Sequence, residues 1–260
     1  MPLCIAGMHR SGTSMIASLL HECGLDLGPE KDLLRPNAGN PDGYWESRSF
    51  LRLNDAILAA LGGSWDRPPL GDVPGWEKRT PLDRFRNQAR RLARRFRGRE
   101  PWGWKDPRNC LTLPLWRSVL PEMKVLICVR NPLAVAESLR SRDGLARADA
   151  FDLWLTYNRR VLAAVPLGER FVTHCDYYFH DPRAELRRVL AWLGIQAAED
   201  RLEHACGRIN PSLVHHRVMV DELVEAGASA EVVRCYLDLC GEAETSAVSK
   251  RASRERERPE

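Results

Sequence analysis

The chain has 260 residues, enough to bury the core of one large domain, with ordinary apolar content and a net charge of +4. So mild an excess of positive charge excludes wholesale nucleic-acid binding. No run approaches the ~20 apolar residues of a membrane helix. Nor does a basic segment followed by an apolar stretch open the sequence, so neither a transmembrane segment nor a secretory leader is expected. Eight cysteines (Cys4, Cys23, Cys110, Cys128, Cys175, Cys206, Cys235 and Cys240) are scattered without a CxxC pair. They read as reduced, buried small hydrophobes of a cytoplasmic protein, not as a disulfide or zinc framework.

Leu3-Cys-Ile-Ala-Gly7 is a short apolar run ending in glycine. After a turn, residues 15, 16, 19, 20 and 23 are apolar at helical spacing, and Gly24 stops the pattern. Strand, loop and helix therefore follow one another. Residues 28–48 are rich in Pro, Gly, Asn and Asp and read as loop, Leu51 to Leu61 as helix, and 64–81 as irregular. From Leu82 to Arg97 an apolar stripe (Phe85, Ala89, Leu92, Ala93, Phe96) runs through arginines. Its plain reading is an amphipathic surface helix with a solvated basic face; its sharper one is a docking face for an acidic substrate or partner.

Met123 to Arg130 is nearly continuous in apolar residues, as a central parallel strand covered on both faces should be. Leu133–Arg142 and residues 151–165 read as helices, 170–175 as a strand, and Asp181-Pro182 opens a helix that closes at Gly194. Strands alternating with helices predict an α/β, three-layer P-loop NTPase-like fold with a central parallel sheet flanked by helices. A single domain is expected over residues 1–244, followed by a disordered tail over 245–260, where Ser, Arg and Glu dominate.

Between the first strand and helix lies Gly7-Met-His9-Arg10-Ser11-Gly12-Thr13-Ser14. Gly7 and Gly12 have Walker A spacing and Ser14 supplies the hydroxyl, but Thr13 stands where the Walker lysine belongs and the cation is Arg10 instead. Such a loop still binds an anion at a helix N-terminus. A magnesium-dependent kinase is disfavoured by the missing lysine.

Arg10-Ser-Gly-Thr-Ser14 resembles the first motif of the sulfotransferase family, which moves a sulfuryl group from 3'-phosphoadenosine 5'-phosphosulfate (PAPS). A second likeness is Val125-Leu-Ile-Cys-Val-Arg130-Asn-Pro-Leu-Ala-Val-Ala-Glu-Ser138, about 120 residues further on. The resemblance implies that His9, Arg10, Ser11, Gly12, Thr13 and Ser14 grip the 5'-phosphosulfate, while Arg130 and Ser138 bind the 3'-phosphate. It also implies PAPS as co-substrate, PAP (adenosine 3',5'-bisphosphate) as product, no metal, and a carbohydrate, glycolipid or small-molecule acceptor. A phosphotransferase and a non-catalytic PAP-binding protein are the alternative readings.

Sulfuryl transfer needs a base for the acceptor hydroxyl and cations for the leaving oxygen. Arg10 and Lys105, the latter in Trp102-Gly-Trp-Lys105-Asp106-Pro-Arg108, are the candidate cations. Two acids compete for the base: Asp106, and Glu46 in Gly43-Tyr-Trp-Glu-Ser47, with Glu46 ranked just ahead. His9 contacts phosphate or acceptor, or merely fills the turn. The resemblance also implies a 3'-phosphate contact from Arg217, in a cluster with His215 and His216; a metal site at these histidines lacks further ligands. Trp65, Trp76 and Trp102 read equally as core or as carbohydrate platforms.

Overall fold

The computed structural model describes residues 1–36, 43–69, 75–209 and 220–246. Four strands, β1 (Pro2–Ala6), β2 (Trp102–Lys105), β3 (Lys124–Val129) and β4 (Arg170–His174), form a parallel sheet in the order β2-β1-β3-β4. Apart from Lys124 and Arg170 at their starts, all strand residues are buried. That two-sided burial is why β3 reads as a continuous apolar run rather than an alternating one.

Period-two alternation sorts the side chains into two cores. Leu3, Ile5, Leu126 and Phe171 pack with α1 (Thr13–Glu22), α8 (Pro182–Leu193) and α9 (Glu199–Gly207). Cys4, Ala6, Trp104, Val125 and Ile127 face the larger core. That layer is built from α2 (Arg48–Ala60), α3 (Asp83–Arg94), α4 (Asn109–Val119), α5 (Pro132–Asp143), α6 (Arg147–Ala164) and α11 (Ala230–Thr245). The result is the three-layer α/β arrangement expected. Short helices α7 (Tyr177–His180) and α10 (Val220–Glu225), with four three-residue 3-10 turns, complete the described elements.

Local chemistry sets the boundaries near the site. Asn131 Oδ1 accepts the Leu133 N–H at 2.8 Å, Pro132 occupies the first turn of α5, and Gly144 closes it with φ of 72°. Asp181 caps α8 in the same way, through the Ala184 N–H at 3.0 Å. Two expectations shift. The helix read as 151–165 starts four residues earlier, at Arg147, because Arg and Asp in its first turn lie outside the apolar pattern used to find it. Helices α9, α10 and α11 follow a stretch where the sequence pattern had ended at Gly194. Of the tail expected from residue 245, positions 247–260 lie outside the described residues.

All eight cysteines are free and six are buried. Trp102 is core, stacked on Phe96 at 4.4 Å, and Trp76 packs against the same cluster. Among the described residues, no helix is long and apolar enough to cross a membrane.

Candidate active site

The loop between β1 and α1 is shaped by close approach. A Cβ on Gly7 (φ 146°) would stand 2.4 Å from the Cys128 carbonyl oxygen, and one on Gly12 (φ 81°) 2.6 Å from Cys175 Sγ. Glycine alone fits either position. No side chain caps α1, so the amides of its first turn face the loop without an intrahelical acceptor. Among the described residues two non-glycine residues have positive φ, Arg10 (70°) and Trp45 (60°), and both line the same cavity at the C-terminal end of the sheet. Strained backbone of this kind costs ~1–3 kcal/mol per residue and concentrates at functional sites.

Four arginines line this cavity, Arg10, Arg130, Arg142 and Arg208, and the first three act on one another. Arg10 Nε donates to Ser138 Oγ at 2.7 Å, and Arg130 Nη1 donates to the Arg10 carbonyl oxygen at 3.1 Å. Burial, then the charges of Arg142 and Arg130, lower the Arg10 pKa from its ordinary value. The three cations thus repel one another in a half-desolvated space, and Asp143, paired with Arg142 at 2.7 Å, offsets one of them. Such a cluster of cations attracts an anion.

Lys105 arrives from the end of β2 and is almost completely buried. Its Nζ donates to Ser14 Oγ at 3.0 Å, the Tyr44 carbonyl oxygen at 2.8 Å and Glu46 Oε1 at 2.7 Å. An ammonium therefore rests on the serine hydroxyl that holds magnesium in a Walker loop. Glu46 lies at the other side of this pair, 6% exposed. Burial pushes its carboxyl above the ordinary glutamate range, and the Lys105 charge opposes that rise.

His9 is 8% exposed, its ring 4.6 Å from Trp65 and edge-on to Tyr157 at 5.8 Å. Burial, then Arg108, Arg142, Lys105 and Arg10, hold the imidazole well below its ordinary pKa, so it is neutral at pH 7. His9 Nε2 and Ser11 Oγ are buried with no hydrogen-bond partner among the described residues. Buried polar atoms left in this state call for a ligand or water.

The structure thus brings His9, Arg10, Gly12, Thr13, Ser14, Glu46, Lys105 and Arg130 to one cavity, with Ser138 behind Arg10. Asp106 is not among them. It is fully buried, its carboxylate taken by Asn54 Nδ2 (2.9 Å), the Arg108 N–H (2.9 Å) and Arg108 Nη1 (3.0 Å). Asn54 in turn accepts from Thr112 and Trp116. With its oxygens occupied away from the cavity, Asp106 fits a role in fixing the end of β2, not that of a base. Arg217 and the neighbouring histidines lie outside the described residues. Sequence reasoning missed Arg142, Asp176, Phe179 and Arg208, which also line the cavity. Only Arg142 carried a signal, standing one helical turn beyond Ser138. Among the described residues, no three metal-binding side chains cluster.

A parallel sheet with an anion-cradling loop after its central strand, and convergent cations at its C-terminal end, defines a P-loop-like transferase fold. The family model described as "Sulfotransferase family" matches residues 2–200. The chain belongs to the sulfotransferase family. Solved structures with the same fold include sulfotransferase STF9 from Mycobacterium avium (15% identity, TM-score 0.54, covering 91% of this chain and 75% of that one). Another is the sulfotransferase domain from the curacin biosynthetic pathway (13% identity, TM-score 0.54, 92% and 97% covered). No curated protein matches the chain.

Proposed function

We propose that the protein transfers a sulfuryl group from PAPS to a hydroxyl of a carbohydrate, glycolipid or small-molecule acceptor, releasing PAP. The observation that carries this reading is the convergence of Arg10, Arg130 and Arg142 on a cavity whose loop also holds two unpartnered buried polar atoms. A ligand with separated phosphate ends places negative charge against these cations at both ends. Bound there, PAPS contributes a sulfuryl group already joined to a good leaving group, so the protein's task is placement and charge stabilisation.

In this reading the first-turn amides of α1, Ser11, Thr13 and Arg10 hold the 5' end, and Arg130 with Ser138 holds the 3'-phosphate. Arg130 presents a planar fork of donors, the geometry that suits a phosphate. Lys105 stabilises negative charge as it builds on the bridging oxygen. Glu46 accepts the proton of the acceptor hydroxyl; burial has raised its affinity for that proton, and Lys105 keeps it ionised until then. His9 offers a neutral imidazole to phosphate or acceptor. With a cation already on Ser14, no magnesium is needed to balance the donor.

Isothermal titration tests the reading. PAP should bind in the presence of a chelator, and ATP with magnesium should bind far more weakly. Absence of PAP binding overturns the proposal. A screen with labelled PAPS then separates an enzyme from a PAP-binding protein without activity.

A further inference from the structure

The charge of the chain is unevenly spread. Residues 83–99 hold eight arginines against one acid, Asp83, so the remainder of this +4 chain is net acidic. Two of the eight are ion-paired, Arg86 with Asp83 and Arg99 with Asp26 at 2.7 Å. The other six, Arg84, Arg90, Arg91, Arg94, Arg95 and Arg97, are all exposed and make no ion pair among the described residues.

Elsewhere on the surface several arginines have an acidic partner, although single exposed arginines such as Arg52 and Arg234 form no ion pair among the described residues. Arg117 meets Glu169 at 2.5 Å, Arg147 meets Glu137 at 2.8 Å, and Arg187 meets Glu199 at 2.5 Å. The contrast at α3 is not an accident of helical sequence either. Its apolar face (Phe85, Ala89, Leu92) is fully used in the core, and its outward face is left with cations, Asn87 and Gln88. Six like charges on one short stretch repel each other at cost to the fold unless a counter-charge compensates them.

We infer that the outward face of α3 docks the protein onto an anionic phospholipid bilayer. Arg90, Arg94 and Arg97 line one open cavity together with Glu100 and Glu122, whereas Arg84, Arg91 and Arg95 lie outside it, so no small anion can satisfy all six together. A broad anionic plane can. None of the exposed large hydrophobic residues lies on α3, so the attachment is electrostatic and salt-reversible, without insertion. The face also has a bearing on the cavity: Arg95 Nη1 donates to Ser49 Oγ at 3.2 Å, three residues beyond Glu46. Docking through α3 therefore brings a lipid surface near the wall of the cavity that carries Glu46.

The test is co-sedimentation of the full chain with vesicles of equal parts phosphatidylglycerol and phosphatidylcholine. The expected result is binding to these vesicles, none to pure phosphatidylcholine, and release as rising salt shortens the screening length. The triple variant Arg91→Glu, Arg94→Glu, Arg97→Glu should lose at least tenfold in partitioning, with its circular dichroism spectrum unchanged. No binding to the anionic vesicles, or equal binding by the triple variant, overturns the inference. So does retention on heparin or RNA with no vesicle binding, which would make the face a site for soluble polyanions. None of these outcomes depends on PAP, so the inference stands or falls separately from the proposed activity.

Discussion

Replacing Lys105 by methionine removes the ammonium while keeping most of the stem, and leaves the Glu46 carboxylate buried at 6% exposure without its cation. Breaking a buried pair by removing one partner costs ~3–5 kcal/mol. In a chain of this size each kcal/mol lowers Tm by about 2–4 °C, so the expected fall is about 6–20 °C. The loss has a built-in signature. Without Lys105 nothing opposes the rise that burial imposes on the Glu46 carboxyl, so the variant can escape part of the penalty by binding a proton. Its deficit relative to the parent must therefore shrink as pH falls toward the carboxylate range and grow as pH rises. The double variant Lys105→Met, Glu46→Gln has no charge to strand and should recover at least half of the lost stability. Thermal melts of the four proteins across pH provide the assay. A Lys105→Met protein as stable as the double variant, or a deficit independent of pH, would refute the reasoning.

Three further outcomes are expected. Because the Glu46 carboxyl is raised above the usual glutamate value of ~4.3, turnover should fall away on the acid side at a pH above that figure, and Glu46→Gln should remove that limb along with most of the activity while PAP affinity changes little. The same raised value makes its linkage sign opposite to the common carboxylate case: its contribution to stability is greatest below ~4.3 and is lost as pH rises through the folded value. Arg130→Ala should weaken PAP binding roughly 10- to 150-fold in calorimetry, the equivalent of a lost charge-assisted contact of ~1.5–3 kcal/mol. Gly12→Ala should lower Tm and abolish PAP binding, since its Cβ meets Cys175 Sγ at 2.6 Å; Gly144→Ala, at φ of 72° with open space around it, should cost only about 1 kcal/mol and leave binding intact.

Much of the fold can be read from residue patterns because its elements announce themselves locally. Gly7 and Gly12 frame a loop after an apolar run, and the unbroken Val125–Val129 stretch has the composition of a strand with two covered faces. Arg10, Glu46, Lys105 and Arg130, which the structure brings to one cavity, are legible as candidates because each stands in a short motif at an element's end. Their mutual arrangement was not. That Ser138 accepts from Arg10 depends on a packing of α5 over the loop, 128 residues apart in sequence. Asp106 misleads because a charged residue at a strand end reads the same whether it turns toward the cavity or, as here, toward Asn54 and Arg108. Asp176 and Arg208 enter the cavity wall from the ends of β4 and α9, and Phe179 from the short helix α7, where nothing in the local sequence sets them apart.

The ammonium of Lys105 ties together three pieces of chain: α1 through Ser14, the segment ahead of α2 through Tyr44 and Glu46, and β2 itself. Swinging the 43–46 wall outward would strand a buried ammonium and a buried carboxylate at once, several kcal/mol each. Arg208, across the sequence from that wall, is held to Glu22 by a partly exposed ion pair worth about 0–1 kcal/mol. The electrostatic hold is therefore far stronger on the side of Glu46 than at Arg208, and the candidate base is mounted on the more firmly held wall.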